Sequence, residues 1–192
     1  MSRSVSGNID RLAPPHSGST AYINARIIDP TGDTEYRGAI LISDGKIADY
    51  GPSLFASGAP YGIQSVDCRG LYLAPGLVDT RVHTGEPGEE HKETLESAGA
   101  AAAVGGITSM VLLPDNEPPF DDASLIEFVA RRARQIKLVN MYAYGALTVG
   151  LEGKELAEMG LLAESGAVAF TDADHAVGSA QVLRRALYYA KA

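Results

Sequence analysis

From residue 73 to residue 192, short apolar runs alternate with segments of helical period, and glycine, proline or a capping side chain marks each hand-over. That alternation restricts the chain to an α/β fold with a parallel sheet built from right-handed crossovers. Residues 73–82 (LAPGLVDTRV) open on Pro75 and Gly76, run apolar through Leu77, Val78 and Val82, and end among Asp79, Arg81, His83 and Glu86. A helix is expected over 92–104, stopped by Gly105 and Gly106, followed by an apolar strand at 108–113. Asp121 and Asp122 offer an N-cap for a helix at 123–136. A strand at 138–144, a helix at 152–165, a strand at 167–170 and a helix at 181–190 complete four βα units. Four such units make either an open doubly wound sheet or half of an eight-stranded barrel.

The first 72 residues follow a different pattern. Residues 1–20 are rich in Ser, Gly and Pro without periodicity, which predicts a flexible leader containing His16 as a solvated side chain. Residues 21–72 hold short β-rich runs at 21–28, 38–42, 46–50 and 64–68, separated by the turn residues 29–33 and by Ser43-Asp44-Gly45. Asp-Gly between two such runs is a hairpin signal. The expectation is a small antiparallel β-sandwich portion at 21–72, followed by the first half of a βα barrel at 73–192.

A hydrophobic content of 45% is enough for a packed core, while the net charge of −8 excludes a phosphate-backbone partner. No apolar run reaches the ~18 residues of a membrane span, and no apolar signal core precedes the first strand, which leaves the cytoplasm as the expected location. Cys68 has no second cysteine with which to pair. In a strand it reads as a small buried hydrophobe.

In a βα barrel the reactive groups lie just beyond the strand ends. Here those positions hold Arg81, His83 and Glu86, then Asp115 and Asn116, then Asp172, Asp174 and His175. The strings PGLVDTRVHTGEPG, HKETLESAGAAAAVGGIT, LLPDNEPP, GKEL and GAVAFTDAD resemble dihydroorotase and its cyclic-amidohydrolase relatives.

The resemblance implies the N-terminal part of a (β/α)8 amidohydrolase barrel with a small β-sandwich beside it. It also implies zinc, one or two ions, at the barrel mouth. The implied reaction is the reversible hydrolysis of L-dihydroorotate to N-carbamoyl-L-aspartate in pyrimidine biosynthesis, with a zinc-bound water as nucleophile. Carried over by position, His83 and Asp172 are the metal ligands, and Asn116 and Asp115 lie on the substrate side. The family's first ligand position holds Arg81, whose guanidinium has no lone pair for a metal. Its substrate-gripping arginine position holds Gly85. Asp174 and His175 are secondary candidates, His91 reads as a surface residue at a helix entry, and Glu86-Pro87-Gly88 as a structural turn. The remaining ligands and the catalytic aspartate are expected beyond Ala192.

Two functions follow. The first is a dihydroorotase-type zinc hydrolase acting on a small cyclic amide. The second, motivated by Arg81, Gly85 and Asp115, is a non-catalytic dihydroorotase-like scaffold partnering aspartate carbamoyltransferase. A related hydrolase of hydantoin-like rings is a weaker third. The outer strands of a half barrel would be bare edges, so the chain is expected to form a homo-oligomer or to belong to a longer protein.

Overall fold

The computed structural model describes residues 18–59 and 61–191. His16 and nearly all of the 1–20 leader lie outside the described residues. The chain divides between Pro75 and Gly76 into two compact units.

In the first unit, β1 (Ser19–Asp29), β2 (Thr34–Ser43) and β3 (Lys46–Gly51) form an antiparallel meander. The Asp29 carboxylate accepts from the Thr31 N–H at 3.0 Å and the Gly32 N–H at 3.4 Å, folding the chain back between β1 and β2. Asp44 and Gly45 both have positive φ, 51° and 73°, the backbone of a type I′ hairpin turn. The sheet is nevertheless mixed: β4 (Gln64–Asp67) and β5 (Tyr72–Leu73) run parallel to β1. They pair with the two halves of β1 on either side of its bulge at Asn24. The Gly70 N–H donates to the Asn24 carbonyl at 2.7 Å, where the chain passes from β4 to β5. Leu73, expected to begin the barrel strand, therefore belongs to the first unit's sheet.

In the second unit, β6 (Leu77–Val82), β7 (Ile107–Leu112), β8 (Asn140–Ala146) and β9 (Ala167–Thr171) form a parallel sheet in the order β6-β7-β8-β9. Helices α1 (Leu95–Val104), α2 (Ala123–Ile136), α3 (Met159–Glu164) and α4 (Ala180–Tyr189) alternate with the strands. Leu95, Ala98, Met110, Leu112, Phe120, Ile126, Val129, Met141 and Leu162 make one buried core between helices and strands. Burying each larger side chain contributes about 1.5–3 kcal/mol.

Two helices are shorter than expected, for polar reasons. The first begins at Leu95 rather than residue 92 because the Thr94 hydroxyl accepts from the Ser97 N–H at 3.1 Å, with Ser97 Oγ closing a capping box. The third begins at Met159 rather than residue 152. Residues 148–156 are instead fastened by a Thr148–Leu156 bridge, by the Gly150 N–H donating to Asp121, and by left-handed backbone at Gly150 and Gly153. Among the described residues no helix is long and apolar enough to cross a membrane.

Candidate functional site

The site lies at the carboxyl ends of the parallel strands. Asp79, midway along β6, accepts from the Arg81 N–H at 3.0 Å, and the Val82 carbonyl accepts from the Leu113 N–H at 2.8 Å. Val82 packs against the core, while Arg81 and His83 on either side of it are exposed.

Both side chains meet residues from other strand ends. The Arg81 guanidinium is ion-paired with Asp174, in the loop after β9. His83 Nδ1 lies 2.7 Å from Asp115 Oδ2, after β7, and its Nε2 lies 4.0 Å from Asp174 Oδ2. One mouth thus gathers Arg81, His83, Asp115 and Asp174.

Asp172 is turned to a different task. It is buried, and Oδ1 accepts from the Leu147 and Thr148 N–H groups at 3.0 and 2.8 Å, while Oδ2 accepts from the Thr148 hydroxyl at 2.5 Å. The Thr148 hydroxyl in turn accepts from the Gly153 N–H at 2.8 Å. The carboxylate therefore holds the loop after β8 onto the end of β9.

Asn116 is buried too, and its amide N–H groups donate to the carbonyls of Thr84 and Pro87 at 3.1 and 3.4 Å. Thr84 Oγ1, Asp115 Oδ1 and Asn116 Oδ1 are buried without a hydrogen-bond partner among the described residues. This side of the mouth carries a desolvation cost that a fully satisfied loop avoids.

Gly85 explains its own identity. A Cβ there would lie 2.1 Å from the Glu89 carbonyl oxygen and 2.9 Å from that of Glu93. The loop has closed on itself where the resemblance leads one to expect a long cationic side chain.

Glu86, expected in a plain turn, is buried and bridges two helices. Its Oε2 accepts from the Leu95 N–H at 2.8 Å and its Oε1 from Arg132 Nε at 2.7 Å, and this partnership holds the Arg132 guanidinium above its already high range. Arg132 and Thr148 were not singled out from sequence, because the partners that give them meaning are 46 and 24 residues away. His91 and His175 are exposed. Burial, reinforced by Asp67, pushes the Cys68 thiol up, which makes it a poor nucleophile.

The described residues do not by themselves supply the ligand set for the zinc that the resemblance implies. Asp172 is spent on three hydrogen bonds, Asp174 is paired with a guanidinium, and His83 has Asp115 on its Nδ1. No group of three or more His, Cys, Asp and Glu positioned for a metal occurs among the described residues, and zinc sites take three or four protein ligands.

The family described as "Dihydro-orotase-like" matches residues 70–192. The chain is 43% identical over 183 residues to a dihydroorotase of Wolbachia sp. subsp. Brugia malayi, covering 95% of this chain and 41% of that protein. It is 43% identical over 172 residues to a dihydroorotase of Ehrlichia chaffeensis, covering 89% and 38%. It thus spans about two fifths of the length of these relatives. Among solved structures it is similar to L-hydantoinase (dihydropyrimidinase) from Arthrobacter aurescens, with a TM-score of 0.63 and 25% identity over 79% of this chain and 32% of that one. N-acetylglucosamine-6-phosphate deacetylase from Pasteurella multocida shares the fold at a TM-score of 0.58 and 19% identity, over 88% and 48%. The four βα units and their strand-end mouth are accordingly those of an amidohydrolase barrel, and the chain belongs to the dihydroorotase-like family.

Proposed function

We propose that this protein serves pyrimidine biosynthesis in the cytoplasm as a dihydroorotase-like scaffold, with a barrel mouth of dihydroorotase type that does not hydrolyse the ring. The observation that carries this reading is the Arg81–Asp174 ion pair. It puts a permanent cation on the carboxylate that His83 also approaches, where the family resemblance implies a second imidazole and a metal. The partner such a scaffold serves is aspartate carbamoyltransferase, whose product, N-carbamoyl-L-aspartate, is the linear partner of the dihydroorotase reaction. The test is to incubate the purified, zinc-supplemented protein with L-dihydroorotate and, separately, with N-carbamoyl-L-aspartate. No interconversion is expected, together with co-elution with the transferase on size exclusion; robust turnover sinks the scaffold.

A second reading, a working dihydroorotase-type hydrolase of L-dihydroorotate, is favoured by one contact. Asp115 fixes His83 through Nδ1 and leaves Nε2 facing the mouth, the orientation that a ligating or proton-transferring imidazole needs. The same turnover assay separates the two.

A further inference from the structure

At the foot of the parallel sheet, the opposite end from the mouth, the strand register leaves a gap. β8 begins at Asn140, but β9 joins it only where Ala167 pairs with Ala143, so Asn140, Met141 and Tyr142 pair with β7 alone. Helix α3, which leads into that late strand through Ser165 and Gly166, has six residues against fourteen in α2, about 9 Å of axis against about 21 Å. Between α2 and the start of β8 lies a cavity of about 910 Å³, with Gly166 at its edge. Ile126, Val129, Ala130 and Ala133 of α2 line it, as do Met141 and Ala143 of β8. Ile126, Val129, Met141 and Ala143 are buried, so the cavity reaches down to the core. An apolar concavity of roughly 300–1,000 Å³ with a few polar groups is what a small-molecule site offers.

The charged groups at this cavity are all of one sign. Arg134, in the last turn of α2, and Lys137, its C-cap, both line it, and no Asp or Glu does. Neither cation is ion-paired among the described residues, although the chain as a whole carries a net charge of −8. The carboxyl end of α2 supplies about half a negative charge, which leaves the rim cationic. We infer that this cavity binds a small amphipathic carboxylate, with an aliphatic or aryl body against the apolar lining and the carboxylate accepting from Arg134 and Lys137. A neutral apolar molecule gains only the burial, and a bare anion only the charge. The cavity shares no lining residue with the mouth and binds independently of what the mouth does.

The experiment titrates the whole chain by calorimetry with octanoate, with 1-octanol as its neutral counterpart and with acetate as the head group alone. Octanoate is expected to bind at a single site about tenfold more tightly than 1-octanol, the size of effect that two exposed ion pairs carry together, and acetate is expected not to bind. The preference should shrink in ~1 M salt, where charges are screened within about 3 Å. Arg134 and Lys137 are exposed, so the double variant Arg134→Gln/Lys137→Gln is expected to keep the parent's circular dichroism spectrum and to hold octanoate no better than 1-octanol. Ala130→Phe fills the cavity, keeps both cations and should abolish binding of both ligands. If that variant does not fold, nuclear Overhauser contacts from the octanoate chain to the Met141 and Ala133 methyl groups of the parent are the expected result in its place. A parent that binds no octanoate, or binds it no better than 1-octanol, overturns the inference. So does tight octanoate binding that survives in Arg134→Gln/Lys137→Gln or in a folded Ala130→Phe, or contacts that fall on other methyl groups.

Discussion

Arg81 and Asp174 are ion-paired across the mouth although their strands, β6 and β9, are the first and last of four in the sheet. In a flat sheet, strands about 4.8 Å apart would hold those ends about 14 Å from each other. Side-chain reach and the curl of a barrel-type sheet together close that gap. The pair is solvent-exposed, at 56% and 65%, so it reports on curvature more than it stabilises it. Asp174→Asn is expected to change unfolding free energy by less than about 1 kcal/mol in urea denaturation, and to remove most of what little salt dependence the mouth contributes. A loss of several kcal/mol would mean that the ion pair holds the sheet's curl.

Asp172 is the opposite case, a buried carboxylate with all its hydrogen bonds inside the protein. Asp172→Ala leaves the Leu147 and Thr148 N–H groups and the Thr148 hydroxyl without their acceptor. At roughly 1–3 kcal/mol for each unsatisfied buried group, and because the groups relax together, an overall loss of about 3–5 kcal/mol is expected by denaturation. Limited proteolysis should open first within 147–156. Asp172→Asn keeps one acceptor oxygen and is expected to lose less.

Those two aspartates show what sequence could and could not reveal. The four βα units were legible because their cues are local: Gly105 and Gly106 stop a helix, Asp122 starts one, and a continuous apolar run such as 108–113 fits a strand covered on both faces. The hairpin at Asp44-Gly45 was legible for the same reason. The shortening of α3 was not, because its causes are tertiary: Thr148 is drawn to Asp172, Gly153 to the Thr148 hydroxyl, and Gly150 to Asp121, before any helix can begin. At the site, strand-end placement was readable from position alone, since barrel chemistry collects there. Pairing was not: Arg81 finds Asp174 93 residues away, and Glu86 finds Arg132 46 residues away.

Gly85 is expected to reject every side chain. The nearest atoms to a Cβ at this position are backbone carbonyl oxygens of Glu89 and Glu93, which cannot rotate away. The Glu89 N–H already donates to the Gly85 carbonyl at 2.6 Å, so the loop has no slack. Gly85→Ala should therefore cost about 1–3 kcal/mol, as overpacking does, and Gly85→Arg at least as much. If Gly85→Arg matched the parent in thermal unfolding, the loop would be more open than these contacts allow.

The start of α2 should be sensitive to acid, and the sign follows from where Asp122 ionises. The Ser124 hydroxyl, at 2.5 Å, and then the Ser124 N–H, at 2.8 Å, hold the Asp122 carboxyl below its usual range. Because the folded protein ionises Asp122 at lower pH than the unfolded chain does, the cap's contribution is fully present above the unfolded value, near pH 3.9. It declines as the pH falls through the folded one. Below that window the protonated side chain is a poor acceptor, and the first N–H groups of the helix lose their cap. Amide exchange at residues 124 and 125 should accelerate, after correction for intrinsic rates, as the pH is lowered through this range, while exchange in the middle of α2 should not. Asp122→Ala should make those amides fast at every pH and remove about 1 kcal/mol of stability at neutral pH. Asp122→Asn, which still accepts a hydrogen bond but does not titrate, should keep the cap and abolish its pH dependence. Acid-dependent exchange that persists in Asp122→Asn would trace the effect to another group.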